Sequence, residues 1–127
     1  MLIAKEYRKN IFCLEGDWTP DLKNTQSIRS ALSFMHDNLD IRFIHRHCTK
    51  REQFEYYLKK FSLRKYKSYS ICYFAFHGKP GSLLLAENEL VTLDDLAAMV
   101  GDTLKDRIIH FGSCETLSVD IRQIKRF

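Results

Sequence analysis

Two short stretches carry residue types that could do covalent chemistry. FAFHGKPG, residues 74–81, runs three apolar positions into His77 and Gly78, then into a Pro80-Gly81 turn. RIIHFGSCET, residues 107–116, runs a second apolar stretch into Gly112, Ser113 and Cys114. A thiolate is the nucleophile in such a pairing, and a nearby imidazole takes the thiol proton or stabilises the anion. Acyl transfer also needs donors for a developing oxyanion. Gly78 has no side chain and can expose its N–H to a substrate; the N–H of Cys114 is the second candidate donor. Taken singly, a strand-end histidine and a buried thiol are the plainer accounts. Taken together, at the ends of two successive strands, the residues read as a pair.

The elements around them must bring the two ends to one place. NIFCLEGDW starts with an apolar run and ends in an acidic loop, the pattern of a buried strand. Ile28, Ala31, Leu32 and Met35 fall on one face of a helix in TQSIRSALSFMHDN. IRFIHRH reads as a second strand. Thr49 and Glu52 then suggest a capping box ahead of a helix whose apolar face is Phe54, Tyr57, Leu58 and Phe61. YSICYFAF is apolar on both faces, as in the middle of a parallel sheet covered by helices. SLLLA and ELVTL flank ENE as a small hairpin. Thr92 and Asp95 suggest a second capped helix, TLDDLAAMV, and RIIHFG a fourth strand. The tail TLSVDIRQIKRF has a helical pattern.

The order is therefore β-α-β-α-β-(hairpin)-α-β-α. It predicts a single α/β domain over residues 1–127: a three-layer sandwich with about four mainly parallel strands and helices on both sides. In such sheets the functional crevice lies at the carboxyl ends of the strands. If the third and fourth strands are neighbours, His77 and Cys114 emerge side by side at that rim. With regular alternation, His110, Gly112 and Cys114 share one face. The first strand delivers Glu15, Gly16, Asp17 and Trp18 to the same rim. Glu15 and Asp17 there could pair with a basic group of a substrate, although a solvated loop is the plainer account.

FAFHGKPG, SLLLAENELVTLDDLAAM and RIIHFGSCET, taken in that order, resemble the caspase-fold (clan CD) cysteine peptidases, and among them the CHAT type. The likeness covers roughly residues 10–126, with the specific motifs confined to 74–117. It implies a caspase-like fold and a cysteine peptidase that cleaves peptide bonds through an acyl-enzyme. His77 would be the general base and Cys114 the nucleophile. Gly78 and Cys114 would form the oxyanion hole. Such a reaction calls for no cofactor and no metal, and its partner is a peptide or protein substrate. A caspase-like fold is expected to continue past the cysteine-bearing strand with about two more strands that wall the substrate pocket. The sequence ends at Phe127, one helix pattern after Cys114. The expectation is thus a large-subunit-like portion, truncated at its C-terminus, completed by a further segment or an activating protein partner. The alternative is a non-catalytic interaction or regulatory module with an incomplete pocket.

Other chemistries fit less well. His45, His47 and Cys48 invite a zinc reading, but structural zinc needs four ligands and no second cluster stands nearby. There is no G-x-x-x-x-G-K phosphate loop. A receiver-like signalling domain would end its third strand in a phosphorylatable aspartate, and here that strand runs into histidine.

Composition is that of a globular domain, 45% hydrophobic and 28% charged, with no apolar run of membrane-spanning length. Residues 1–67 hold 14 Lys/Arg against 8 Asp/Glu, a net of +6, and residues 68–127 hold 6 against 8, a net of −2. The basic half could attract nucleic acid, but its charges fall mostly on outer helix faces, and no nucleic-acid role is expected. The four cysteines form no C-x-x-C pair, and Cys13 and Cys72 sit in apolar runs. With no apolar leader at the N-terminus, this predicts a reducing, cytoplasmic setting.

Overall fold

The computed structural model describes residues 9–112. Four parallel strands form the main sheet: β1 (Ile11–Glu15), β2 (Phe43–His47), β3 (Ile71–Ala75) and β7 (Ile108–Phe111). Their order across the sheet is β2-β1-β3-β7. Three helices connect them: α1 (Arg29–Leu39), α2 (Arg51–Phe61) and α3 (Leu93–Val100). A second, antiparallel sheet of β4 (His77–Lys79), β5 (Ser82–Ala86) and β6 (Glu89–Thr92) lies between β3 and α3 in the chain.

The hand of the crossovers assigns the helices to faces. β1 steps outward to β2, whereas β2 to β3 and β3 to β7 step the opposite way. Right-handed connections then put α1 on one face and α2 and α3 on the other. The two cores follow that division. Ile11, Cys13 and Ala75 pack with Leu32 of α1. On the other face Phe12, Leu14, Cys72 and Phe74 pack with Phe54, Leu58 and Phe61 of α2 and Leu93, Leu96 and Val100 of α3. The Phe12 and Phe61 rings stack at 4.1 Å. The α/β layering and the parallel sheet match the sequence expectation.

Three local features differ from it. The third strand does not run on to His77. It ends at Ala75, and His77 opens the short strand β4, so the expected hairpin is a three-stranded sheet. Three residues are too few to show alternation, and β4 exists because β5 pairs with it across the two-residue Pro80-Gly81 turn. Gly81 has φ 72°, the conformation that a type II turn requires after proline.

The Thr49–Glu52 capping box does not form, because Lys50 occupies the N-cap of α2 without a side-chain bond. Instead, Glu89 of β6 accepts the Arg51 N–H at 2.9 Å, and Gln53 accepts that of Thr49 at 3.1 Å. Glu89 reaches this helix end from 38 residues downstream. The Thr92–Asp95 box ahead of α3 is present in both directions. Finally, Ala31 is exposed on α1, while Leu32 is its buried anchor.

The expected helix TLSVDIRQIKRF lies outside the described residues. No helix among the described residues is long and apolar enough to cross a membrane.

Candidate functional site

Parallel register brings the strand ends to one rim. Glu15 is level with His47 of β2 and Ala75 of β3, and Phe74 is level with Phe111 of β7. The direction of the connections reverses between β1 and β3. Chain ends there diverge to opposite faces and leave a crevice, the usual ligand position in an open α/β sheet. The β1 loop enters it from one side and His77 from the other.

The β1 loop is clamped before it reaches the crevice. The Gly16 N–H donates to the Ala75 carbonyl at 3.1 Å and the Asp17 N–H to the Leu85 carbonyl at 2.9 Å. A side chain at Gly16 would collide with the Leu85 main-chain oxygen and the Phe76 ring, so glycine is required by close approach. This fixes Trp18 against His77. The His77 Nε2 lies 2.6 Å from the Trp18 carbonyl oxygen, and the two rings meet edge to face at 5.1 Å. A carbonyl only accepts, so Nε2 carries the proton and donates it. In the neutral ring the lone pair is then on Nδ1, which is the nitrogen able to take a proton from a nucleophile.

Gly78 follows in β4. The turn is closed by the Lys79–Ser82 pair, so the next pair, Gly78 with Leu83, is the one that exchanges no hydrogen bonds. The Gly78 N–H therefore turns away from β5 toward the open edge of its sheet. Both features of the HG dipeptide, a held imidazole and an outward N–H, come from short strand β4.

Glu15 ends β1 with its side chain on the α1 face, only 3% exposed. Its Oε2 accepts from the Trp18 indole N–H at 2.5 Å and the Ile28 N–H at 2.9 Å. Its Oε1 accepts from the Ser27 hydroxyl at 2.6 Å and meets His45 Nε2 at 2.7 Å. Burial raises the carboxyl pKa, but the bonds from Ser27, Trp18, Ile28 and His45 outweigh it and hold the group below its ordinary value. Sequence reasoning set Glu15 beside Asp17 as a candidate substrate contact. The structure engages both Glu15 oxygens internally, and Asp17 is the acid that keeps a partly exposed side chain.

The HRHC stretch, at the end of β2, meets the acids of the same loop. His45 reaches Glu15 and His47 Nε2 meets Asp17 Oδ1 at 2.9 Å. Cys48 is buried, and burial pushes its thiol up to about 12. Among the described residues, no three His, Cys, Asp or Glu side chains converge as a metal site would require. A cleft of about 240 Å³ opens here, lined by Asp17, Trp18, Asn24, Ser27, His45 and His47 among others.

On the far side of His77, the Gly112 N–H donates to the Phe74 carbonyl at 2.9 Å, which carries the β7 pairing one residue past the strand. A Cβ at Gly112 would collide with the Tyr73 phenol, and the Tyr73 ring stacks on His110 at 4.8 Å. His110 and position 112 thus share the Tyr73 side of the sheet. Cys114, the expected nucleophile and second oxyanion donor, lies outside the described residues.

Sequence reasoning missed the Trp18 carbonyl, the group that holds His77. It is a main-chain atom 59 residues from His77, and no residue type announces it.

Comparison with curated proteins finds no match. A family pattern does match, over residues 8–127, and it spans nearly the whole sequence. The chain belongs to DUF6642, a family of unknown function.

Proposed function

We propose that this domain is a caspase-like, CHAT-type cysteine peptidase in which Cys114 attacks a peptide carbonyl and His77 moves the proton. The observation that carries the reading is the 2.6 Å bond between His77 Nε2 and the Trp18 carbonyl, at the point where the sheet reverses direction. It leaves Nδ1 as the nitrogen able to accept a proton. A parallel main sheet, followed by a small antiparallel sheet that His77 opens ahead of α3, also supports the reading.

In the proposed reaction His77 Nδ1 takes the thiol proton and the thiolate adds to the carbonyl carbon. The oxyanion is met by the N–H groups of Gly78 and Cys114. The C–N bond breaks as His77 returns the proton to the leaving amine. Water, deprotonated by His77, then attacks the thioester and releases the acid. Asp17, beside Trp18 in the cleft, would favour a basic substrate side chain.

A second reading rests on the edge of the sheet. Among the described residues β7 pairs with β3 alone, and its far edge is open. Without further strands on that edge the domain would serve as a non-catalytic interaction module of the same fold. A strand-bearing segment or an activating protein partner added there would complete the pocket.

The test is a peptide carrying a thiol-reactive group, with a lysine or arginine at the reactive position. Labelling that disappears in both Cys114→Ala and His77→Ala supports the peptidase. Labelling that survives either substitution rejects the dyad. Absence of labelling, in the protein alone and with its cellular extract as a source of activator, favours the interaction module.

A further inference from the structure

We infer that Glu15 is a positioning residue for His77, acting through Trp18. A carboxylate at the buried end of β1 costs desolvation, and apolar residues fill the same sheet face at Ile11 and Cys13. An apolar side chain at position 15 would fill the space but would give the Trp18 indole N–H no acceptor. The arrangement divides the work between two oxygens. Oε1 holds Ser27 and His45, and so joins α1 and β2 to the end of β1. Oε2 holds the Ile28 N–H and the Trp18 indole, and so locks the ring to the start of α1.

Trp18 touches His77 twice. Its carbonyl accepts the hydrogen bond from Nε2–H and its ring meets the imidazole edge to face. With the indole held by Glu15 and the preceding N–H held by Leu85, Trp18 is fixed from both ends. The imidazole therefore points where the carboxylate sets it, although Glu15 never touches it. The inference gives Glu15 a role in the proposed site and rests on that reading for its purpose. Its test does not require catalysis.

The experiment follows the His77 ring N–H by NMR in histidine-labelled protein, measuring its exchange with solvent. In the native protein the bond to Trp18 is expected to slow exchange of the Nε2 proton relative to a free imidazole. Trp18→Phe keeps the main-chain carbonyl and a ring but removes the donor to Glu15. It is expected to speed exchange about tenfold, the worth of one ordinary hydrogen bond. Glu15→Ala should do the same, and the double variant should add nothing at His77. Val100→Ala, a core change on the opposite face, should lower stability and leave the exchange unchanged.

If Trp18→Phe leaves exchange at its native rate, the positioning role is rejected. If Val100→Ala accelerates exchange equally, the effect is general loosening and the role is likewise rejected. Because Glu15→Ala also removes three other bonds and can unfold the chain, Trp18→Phe is the deciding variant. Failure of the peptidase reading would show separately, as an inert Cys114 in a protein whose His77 proton is still protected.

Discussion

His77 donates its Nε2 proton to the main-chain oxygen of Trp18 at 2.6 Å, which assigns the two ring nitrogens different roles. An imidazole free in solvent must find its orientation in each encounter. Here it is held by a group that cannot itself titrate.

That orientation predicts how the side chain responds to substitution. His77 is exposed, so His77→Ala should change stability by about 1 kcal/mol or less, the net worth of its hydrogen bond to Trp18. The rate of Cys114 labelling by a peptide probe should fall at least about a hundredfold, the scale of a lost proton-transfer group. Denaturation and labelling kinetics on the same preparation separate the two. A large stability loss with unchanged labelling would make His77 a strand-end residue and no more.

The thiols give a second prediction. Burial pushes Cys13 and Cys48 up to about 12, and Cys72 higher still. At pH 8 a thiol with that pKa is ionised in only about one molecule in ten thousand. Native protein treated with a small disulfide reagent should react rapidly at Cys114 alone, and Cys114→Ala should react only on unfolding. Rapid native reaction in that variant would show that one of the other thiols is open to solvent.

The residues that carried the sequence reading are those whose signal is local. Ile11–Leu14 and Ile71–Ala75 are short apolar runs, and a run of that kind needs cover on both faces whatever surrounds it. Thr92 and Asp95 cap within four residues, and the box is present. Thr49 and Glu52 have the same spacing and form no box, because Glu89 supplies the acceptor from another strand. Glu15 read as part of an acidic rim because it follows an apolar run. Its real surroundings, Trp18, Ser27, Ile28 and His45, come from three different segments. The helix-strand order was legible for that reason, and the wiring of the site was not.

Gly16 offers a sharp test of the loop clamp. A methyl group there meets main-chain oxygen of Leu85, which cannot rotate away as a side-chain end could. Gly16→Ala should cost about 1–3 kcal/mol, the usual range for overpacking. It should also shift the β1 loop away from β5, so the His77 ring N–H should lose protection along with stability. Thermal unfolding and proton exchange together check this, and a neutral substitution would mean the loop is not clamped.

Thr92→Ala should lower stability by about 1 kcal/mol through loss of the cap on the Asp95 N–H. Asp95 also contacts Arg51 at 3.2 Å, an exposed pair of small value. Asp95→Ala should therefore cost little more than Thr92→Ala, and the double variant should fall well short of the sum. Urea titrations of the three variants measure it.

Glu15 links the site to pH. Its folded-state pKa lies below the ordinary value of 4.5, so its charged form is bound more tightly in the native state. A depressed carboxyl contributes stability that is fully present above the unfolded-state value and is lost as pH falls through the folded value. Glu15→Gln keeps the shape but replaces one acceptor oxygen with a donor facing other donors. At pH 7 it should cost about 2 kcal/mol, the scale of buried groups left unpaired. Below pH 4.5 the wild-type advantage should shrink, because protonation spends one of the four accepting positions in the same way. Unfolding of both proteins at pH 7 and near pH 3.5 gives the comparison. A gap that stays constant across that interval would mean that the carboxylate is not the species the four donors hold.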